Sequence, residues 1–148
     1  MKLAAEGKLD LDEKLVCRPE DKLPPCGALV FLTCPMEVEI RSLCAQMISL
    51  SDNTAANLLI RRFGLDFLNR QFREIGLEKT HFERLLFDGE AAARGLENRI
   101  VPEEIGGLLA RIARREFVSP ELSRAMVDLL LEQQINHKLV KKSQRGLF

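Results

Sequence analysis

Residues 46–59, QMISLSDNTAANLL, hold the key to the fold. Just before and across their first half, Ile40, Leu43, Cys44 and Met47 recur at i, i+3, i+4 and i+7, the apolar stripe of an α-helix. Across and beyond their second half, Ala55, Leu58, Leu59 and Phe63 form another stripe, closed by Gly64. Ser51-Asp52-Asn53 separates the two. Three short polar side chains at such a place suit the capping of the following helix, because their oxygens accept hydrogen bonds from its first backbone N–H groups. The stretch therefore predicts two helices joined by a tight polar turn.

Working outward, Leu68, Phe72 and Ile75 make a third stripe, stopped by Gly76. Residues 77–100 are irregular. Pro102 suits a first helical position, and Ile105, Leu108, Leu109 and Ile112 follow at helical spacing. Ser119-Pro120 opens a last helix with Ser119 as N-cap and Leu122, Met126, Leu129 and Leu130 inward. The predicted helices lie near 38–49, 54–63, 66–75, 102–114 and 120–133. Toward the start, KLAAEG at residues 2–7 reads as the last turns of a helix closed by Gly7. Residues 17–35 carry four of the six prolines and are extended or looped, with Ala28–Leu32 a candidate short strand. The expected architecture is a mainly α, single helical domain over 1–148.

Composition excludes more than it assigns. Lys plus Arg and Asp plus Glu are balanced at 22 each, so no net field recruits nucleic acid or an anionic membrane. The opening MKLAAEGKLD is no signal peptide, and no run approaches a membrane span, so the chain as given is expected in the cytosol. Cys17, Cys26, Cys34 and Cys44 contain no C-x-x-C pair, and His81 and His137 lie far off. That pattern predicts no metal site, no cofactor and reduced thiols.

The segment MISLSDN followed by TAANLL resembles the helix–turn–helix of class A β-lactamases and penicillin-binding proteins, in which the Ser-Asp-Asn motif projects into the active-site cleft. GKLDLDEKL resembles the stretch after that family's nucleophile helix, and RPEDKLPPCGAL the next connection. GLEKTHFERLLFDGEAAARGLENRIVP resembles the Ω-loop region, and EEIGGLLARI the helix after it. The likeness runs from about residue 2 to about 136; the tail 137–148 diverges. It implies the helical domain of the β-lactamase/transpeptidase-like fold, with the β-sheet part largely or wholly absent. It also implies a serine hydrolase that opens β-lactam rings through an acyl-enzyme, a chemistry linked to β-lactam catabolism and antibiotic resistance, in relatives that are usually periplasmic or secreted. Carried over, Ser51 is a proton relay to the departing lactam nitrogen, Asn53 grips the substrate's side-chain amide, and Asp52 fixes the turn. Counting from Thr80 or back from Pro102 puts Leu85 or Leu86 where class A enzymes place the deacylating glutamate; Glu90 is the nearest alternative base, several positions out of register.

The family's chemistry begins at S-x-x-K, with lysine one helical turn after the nucleophilic serine. None of Ser42, Ser49, Ser51, Ser119, Ser123 and Ser143 has lysine three residues on, and no K-[ST]-G occurs. The expectation is thus a truncated β-lactamase-like hydrolase, inactive alone, whose intact relatives bind β-lactam or peptide-like small molecules. The alternative is a non-catalytic helical module that self-associates as a homodimer through an exposed apolar face or binds a partner.

Overall fold

The computed structural model describes residues 2–24 and 26–135. The divergent tail lies outside the described residues. Among the described residues, seven α-helices and one two-stranded sheet follow in the order α1 (Lys2–Ala5), β1 (Lys14–Cys17), β2 (Met36–Glu39), α2 (Ile40–Ser49), α3 (Asn53–Phe63), α4 (Leu65–Glu74), α5 (Gly89–Ala93), α6 (Pro102–Ala113) and α7 (Pro120–Leu131). The fold is mainly α, as expected. The five predicted helices stand within two residues of their predicted ends. Gly7 closes α1 at φ +67°, a conformation that costs glycine nothing.

The sequence reading missed both strands. Lys14 pairs with Glu39 and Cys17 with Met36 in an antiparallel register that turns Leu15, Cys17, Met36 and Val38 inward. β2 runs straight into α2, and the join is sealed by backbone bonds from Ile40 N to Glu13 O and from Arg41 N to Leu11 O, both 2.9 Å. Ala28–Leu32 is not a strand. Leu29–Phe31 forms a 3-10 turn instead, because the Leu29 N–H is taken by a side-chain carboxylate and no neighbouring strand is offered to it. Within the irregular 77–100 region lie a short helix, α5, and an isolated antiparallel bridge between His81 and Arg99.

The core gathers Cys17, Leu29, Ile40, Leu43, Ala55, Leu58 and Leu59, where the sheet, α2 and α3 meet. The outer helices are less covered than their stripes suggest. Leu109 of α6 and Leu130 of α7 are exposed, so the inner face of α6 is Ile105, Leu108 and Ile112. On α7 the fully buried residue is Ser123, whose hydroxyl donates to Phe117 O at 2.6 Å and accepts from Phe117 N at 3.1 Å. Leu68 and Phe72 of α4 and Ile75 just after it face an apolar cavity of about 280 Å³ that Leu3, Leu9 and Met126 also line. No helix among the described residues is long and apolar enough to cross a membrane.

Leu43 is fully buried at the α2–α3 contact, whereas Leu131 is 78% exposed. Leu43→Ala should lower unfolding free energy in a urea titration by roughly 2–5 kcal/mol. Leu131→Ala should change it by less than about 0.5 kcal/mol.

Candidate functional site

The polar turn between α2 and α3 is built from the backbone outward. As α2 ends, the Gln46 carbonyl accepts from both Leu50 N (3.1 Å) and Asp52 N (3.2 Å). This wraps the chain tightly and puts Ser51 at φ +53°, in the left-handed region that few non-glycine residues occupy. The Ser51 side chain is exposed.

Asp52 is 1% exposed. Its Oδ1 accepts from Ala55 N at 3.0 Å, the N-cap bond of α3, and its Oδ2 accepts from Leu29 N at 2.9 Å. Thr54 is fully buried, and its Oγ1 accepts from Leu23 N at 2.9 Å. Asn53 Nδ2 donates to Pro24 O at 3.4 Å, near the limit of a hydrogen bond. Three consecutive residues thus hold the segment around 23–29 against the start of α3. Gly27 is required there. It sits at φ +109°, and a Cβ would lie 2.1 Å from Asp52 Oδ2.

One helical turn beyond Asn53, buried Asn57 faces the 77–101 loop. Its Oδ1 accepts from Leu86 N at 2.9 Å and its Nδ2 donates to Leu86 O at 3.0 Å. The Leu86 side chain joins Met47, Ala56, Leu59, Ile60 and Phe82 in lining an apolar cavity of about 320 Å³. The same loop is tied further along. The Glu104 carboxylate accepts from Lys79 N and Thr80 N, each at 2.9 Å. Partial desolvation pushes that carboxyl up, but the bonds from Thr80 and from the 78–80 backbone outweigh it and hold the group below the usual carboxylate range. Among the described residues, no three His, Cys, Asp or Glu side chains converge as metal ligands would.

The sequence matches the beta-lactamase enzyme family over residues 1–147. The chain belongs to that family. Among solved structures it is similar to a β-lactamase from Sphaerobacter thermophilus, with 29% identity, a TM-score of 0.78, and coverage of 91% of this chain and 50% of that one. It is also similar to PBP-A, with 31% identity, a TM-score of 0.78, and coverage of 91% and 49%. A leucine-to-glutamate variant of PBP-A, solved as an acyl-enzyme complex with penicillin G, is 30% identical with the same TM-score and coverage of 91% and 50%. This chain spans about half the length of these structures. Comparison with curated proteins gave no match.

For a chain of this family, the placement of the expected site residues is uneven. Ser51, Asp52 and Asn53 share one turn, and Asn57 brings Leu86 to the neighbouring turn of α3. Glu90 stands apart, exposed on α5 behind an N-cap that Asp88 Oδ1 makes to Ala91 N at 2.9 Å. Sequence reasoning missed Gly27, Thr54 and Asn57. Asn57 left a signal, a polar residue four positions after Asn53 on the buried stripe of α3. Gly27 left none, since its need arises from a side chain 25 positions away in sequence.

Asp52→Asn turns an NH₂ group toward Leu29 N–H or Ala55 N–H and leaves one buried donor unpaired. It should cost about 1–3 kcal/mol of unfolding free energy by urea titration. Gly27→Ala should cost more than Gly95→Ala, which shares a positive φ (+81°) but meets nothing within 4 Å. A Gly95→Ala loss equal to that of Gly27→Ala would show that backbone strain alone matters there.

Proposed function

We propose that this chain is the helical half of a serine hydrolase that forms an acyl-enzyme with β-lactam or peptide-like substrates and releases it slowly, in the manner of a penicillin-binding protein. The observation that carries the reading is the Asn57–Leu86 clamp. It fixes Leu86, in the stretch that resembles the Ω-loop, against α3 one turn beyond Asn53, and the residue there is an aliphatic one that lines an apolar cavity. The likeness to PBP-A, which extends to its penicillin G acyl-enzyme, supports the substrate class.

In this reading the nucleophile is a serine of an S-x-x-K segment, which no serine of these 148 residues begins. Its oxygen attacks the lactam carbonyl, the carbonyl–nitrogen bond breaks, and the nitrogen takes up a proton. Ser51 passes that proton, since its hydroxyl is exposed on a backbone turned out of α2. Asn53 gives up its long contact to Pro24 O and grips the substrate amide with one donor and one acceptor. Deacylation needs a base within hydrogen-bond reach of water, roughly 3 Å away, which a leucine cannot supply. Glu90 is the competing candidate, in the first turn of α5.

The 148-residue chain should neither hydrolyse a chromogenic cephalosporin above background nor acquire a covalent adduct from penicillin; stoichiometric labelling of Ser51 would make it the nucleophile and sink the relay role. Joined to an S-x-x-K helix and a K-T-G strand, the protein should show an acylation burst and slow turnover in stopped-flow kinetics. Leu86→Glu in that protein should speed deacylation by about 10²–10⁴-fold, the usual worth of general-base catalysis. Fast turnover abolished by Glu90→Gln would instead assign the base to Glu90.

A further inference from the structure

Two thiols that the hydrolase chemistry does not use lie against each other. Cys17 ends β1, and its Sγ is 3.8 Å from the Sγ of Cys34, which lies two residues before β2. Cys17 is the register partner of Met36, and Cys34, just before β2, packs against the same core cluster that holds Cys17. Cys17 is fully buried and Cys34 half-buried, and both are reduced here. A disulfide needs an S–S length near 2.0 Å, so the sulfurs must approach by about 1.8 Å.

We infer that Cys17 and Cys34 are a thiol modification site that oxidises reversibly to an intramolecular disulfide, with a low-molecular-weight disulfide such as oxidised glutathione as the oxidant. Cys34, the more accessible sulfur, attacks the glutathione disulfide as a thiolate and expels one glutathione. Cys17 then loses its proton and displaces the second glutathione from Cys34, forming the Cys17–Cys34 bond. Two protein thiols are oxidised, one glutathione disulfide is reduced to two glutathiones, and the two thiol protons leave with them. The order of attack follows from the surroundings of Cys17. Burial first, then contact with Cys34 and the nearby Asp21 carboxylate, push its thiol up to about 12, against a smaller opposing effect of Lys22. Cys17 thus rests protonated and acts second. The bond would close the 18–33 loop, the one that presents Gly27 and Leu29 to Asp52.

The test incubates the folded full chain with oxidised glutathione, quenches with an alkylating agent and maps peptides without reduction. We expect loss of two of the four thiols and one dominant Cys17–Cys34 cross-link, reversed by dithiothreitol, with Cys26 and Cys44 alkylated. Cys17→Ser should stop at a stable glutathione adduct on Cys34, and Cys34→Ser should form no internal cross-link. Because the wild-type map decides alone, a variant that fails to fold does not rescue the idea. Cys17 and Cys34 both recovered alkylated, cross-links spread evenly over the four cysteines, or bonds formed only between molecules would each overturn it.

Discussion

Both oxygens of the Asp52 carboxylate are committed to backbone N–H groups, one three residues ahead in α3 and one 23 residues behind at Leu29. Burying a carboxylate is costly unless its hydrogen bonds are replaced, and N–H donors at a helix start replace them well, because the helix dipole favours negative charge there. The two bonds do different work. The one to Ala55 is an ordinary N-cap that any helix could use. The one to Leu29 turns that cap into a tertiary tie, so the order of the 23–29 segment and the start of α3 become one condition. Gly27 makes the fit steric as well, since the carboxylate occupies the space a β-carbon would need.

The same device recurs along the 77–101 loop. Asn57 holds both backbone groups of Leu86. Asn69 does the same for Phe82, at 2.7 and 2.8 Å, and Asn98 Oδ1 accepts from Glu83 N and Arg84 N. Glu104 and Thr80 close the two ends of the loop, Thr80 Oγ1 accepting from Val101 N at 3.1 Å. A long loop without ladders must find partners for its backbone groups elsewhere, and here Asn57, Asn69 and Glu104 on the helices supply them together with Asn98 and Thr80 in the loop itself.

This division explains what could be read in the residues. The helices were legible because each carries its own period and its own stop, as in the Ala55–Leu58–Leu59–Phe63 stripe ending at Gly64. Strands β1 and β2 were not. KLVC and MEVE are four residues each, too short for alternation to stand out, and they pair across an intervening 18-residue stretch, 18–35, that no local pattern bridges. Burial on the outer helices was over-read for a related reason. A stripe reports which face is apolar, not how far anything covers it, and Leu109 and Leu130 have stripe positions that stay exposed. At the site, Ser51-Asp52-Asn53 was found as a string, whereas its supports were not, because Gly27, Thr54 and Asn57 matter through contacts 25 to 31 positions away in sequence.

Those supports bear on why Ser51 can hold its conformation. A serine at φ +53° is uncommon, and residues in such regions persist, at a cost on the order of 1–3 kcal/mol, only where the surroundings over-determine them. Glycine would relieve that cost and glycine is not used, so the position keeps a hydroxyl at the expense of stability. The surroundings that enforce it are the doubly accepting Gln46 carbonyl on one side and the Asp52 ties on the other. A hydroxyl kept in that way, beside a carboxamide with only a 3.4 Å partner and an aliphatic loop residue clamped one turn further on, is a polar edge set against a dry wall. Such an edge suits handing a proton to a leaving nitrogen, and such a wall suits keeping water out, so the proposed acylation and the proposed slow release draw on the same two features.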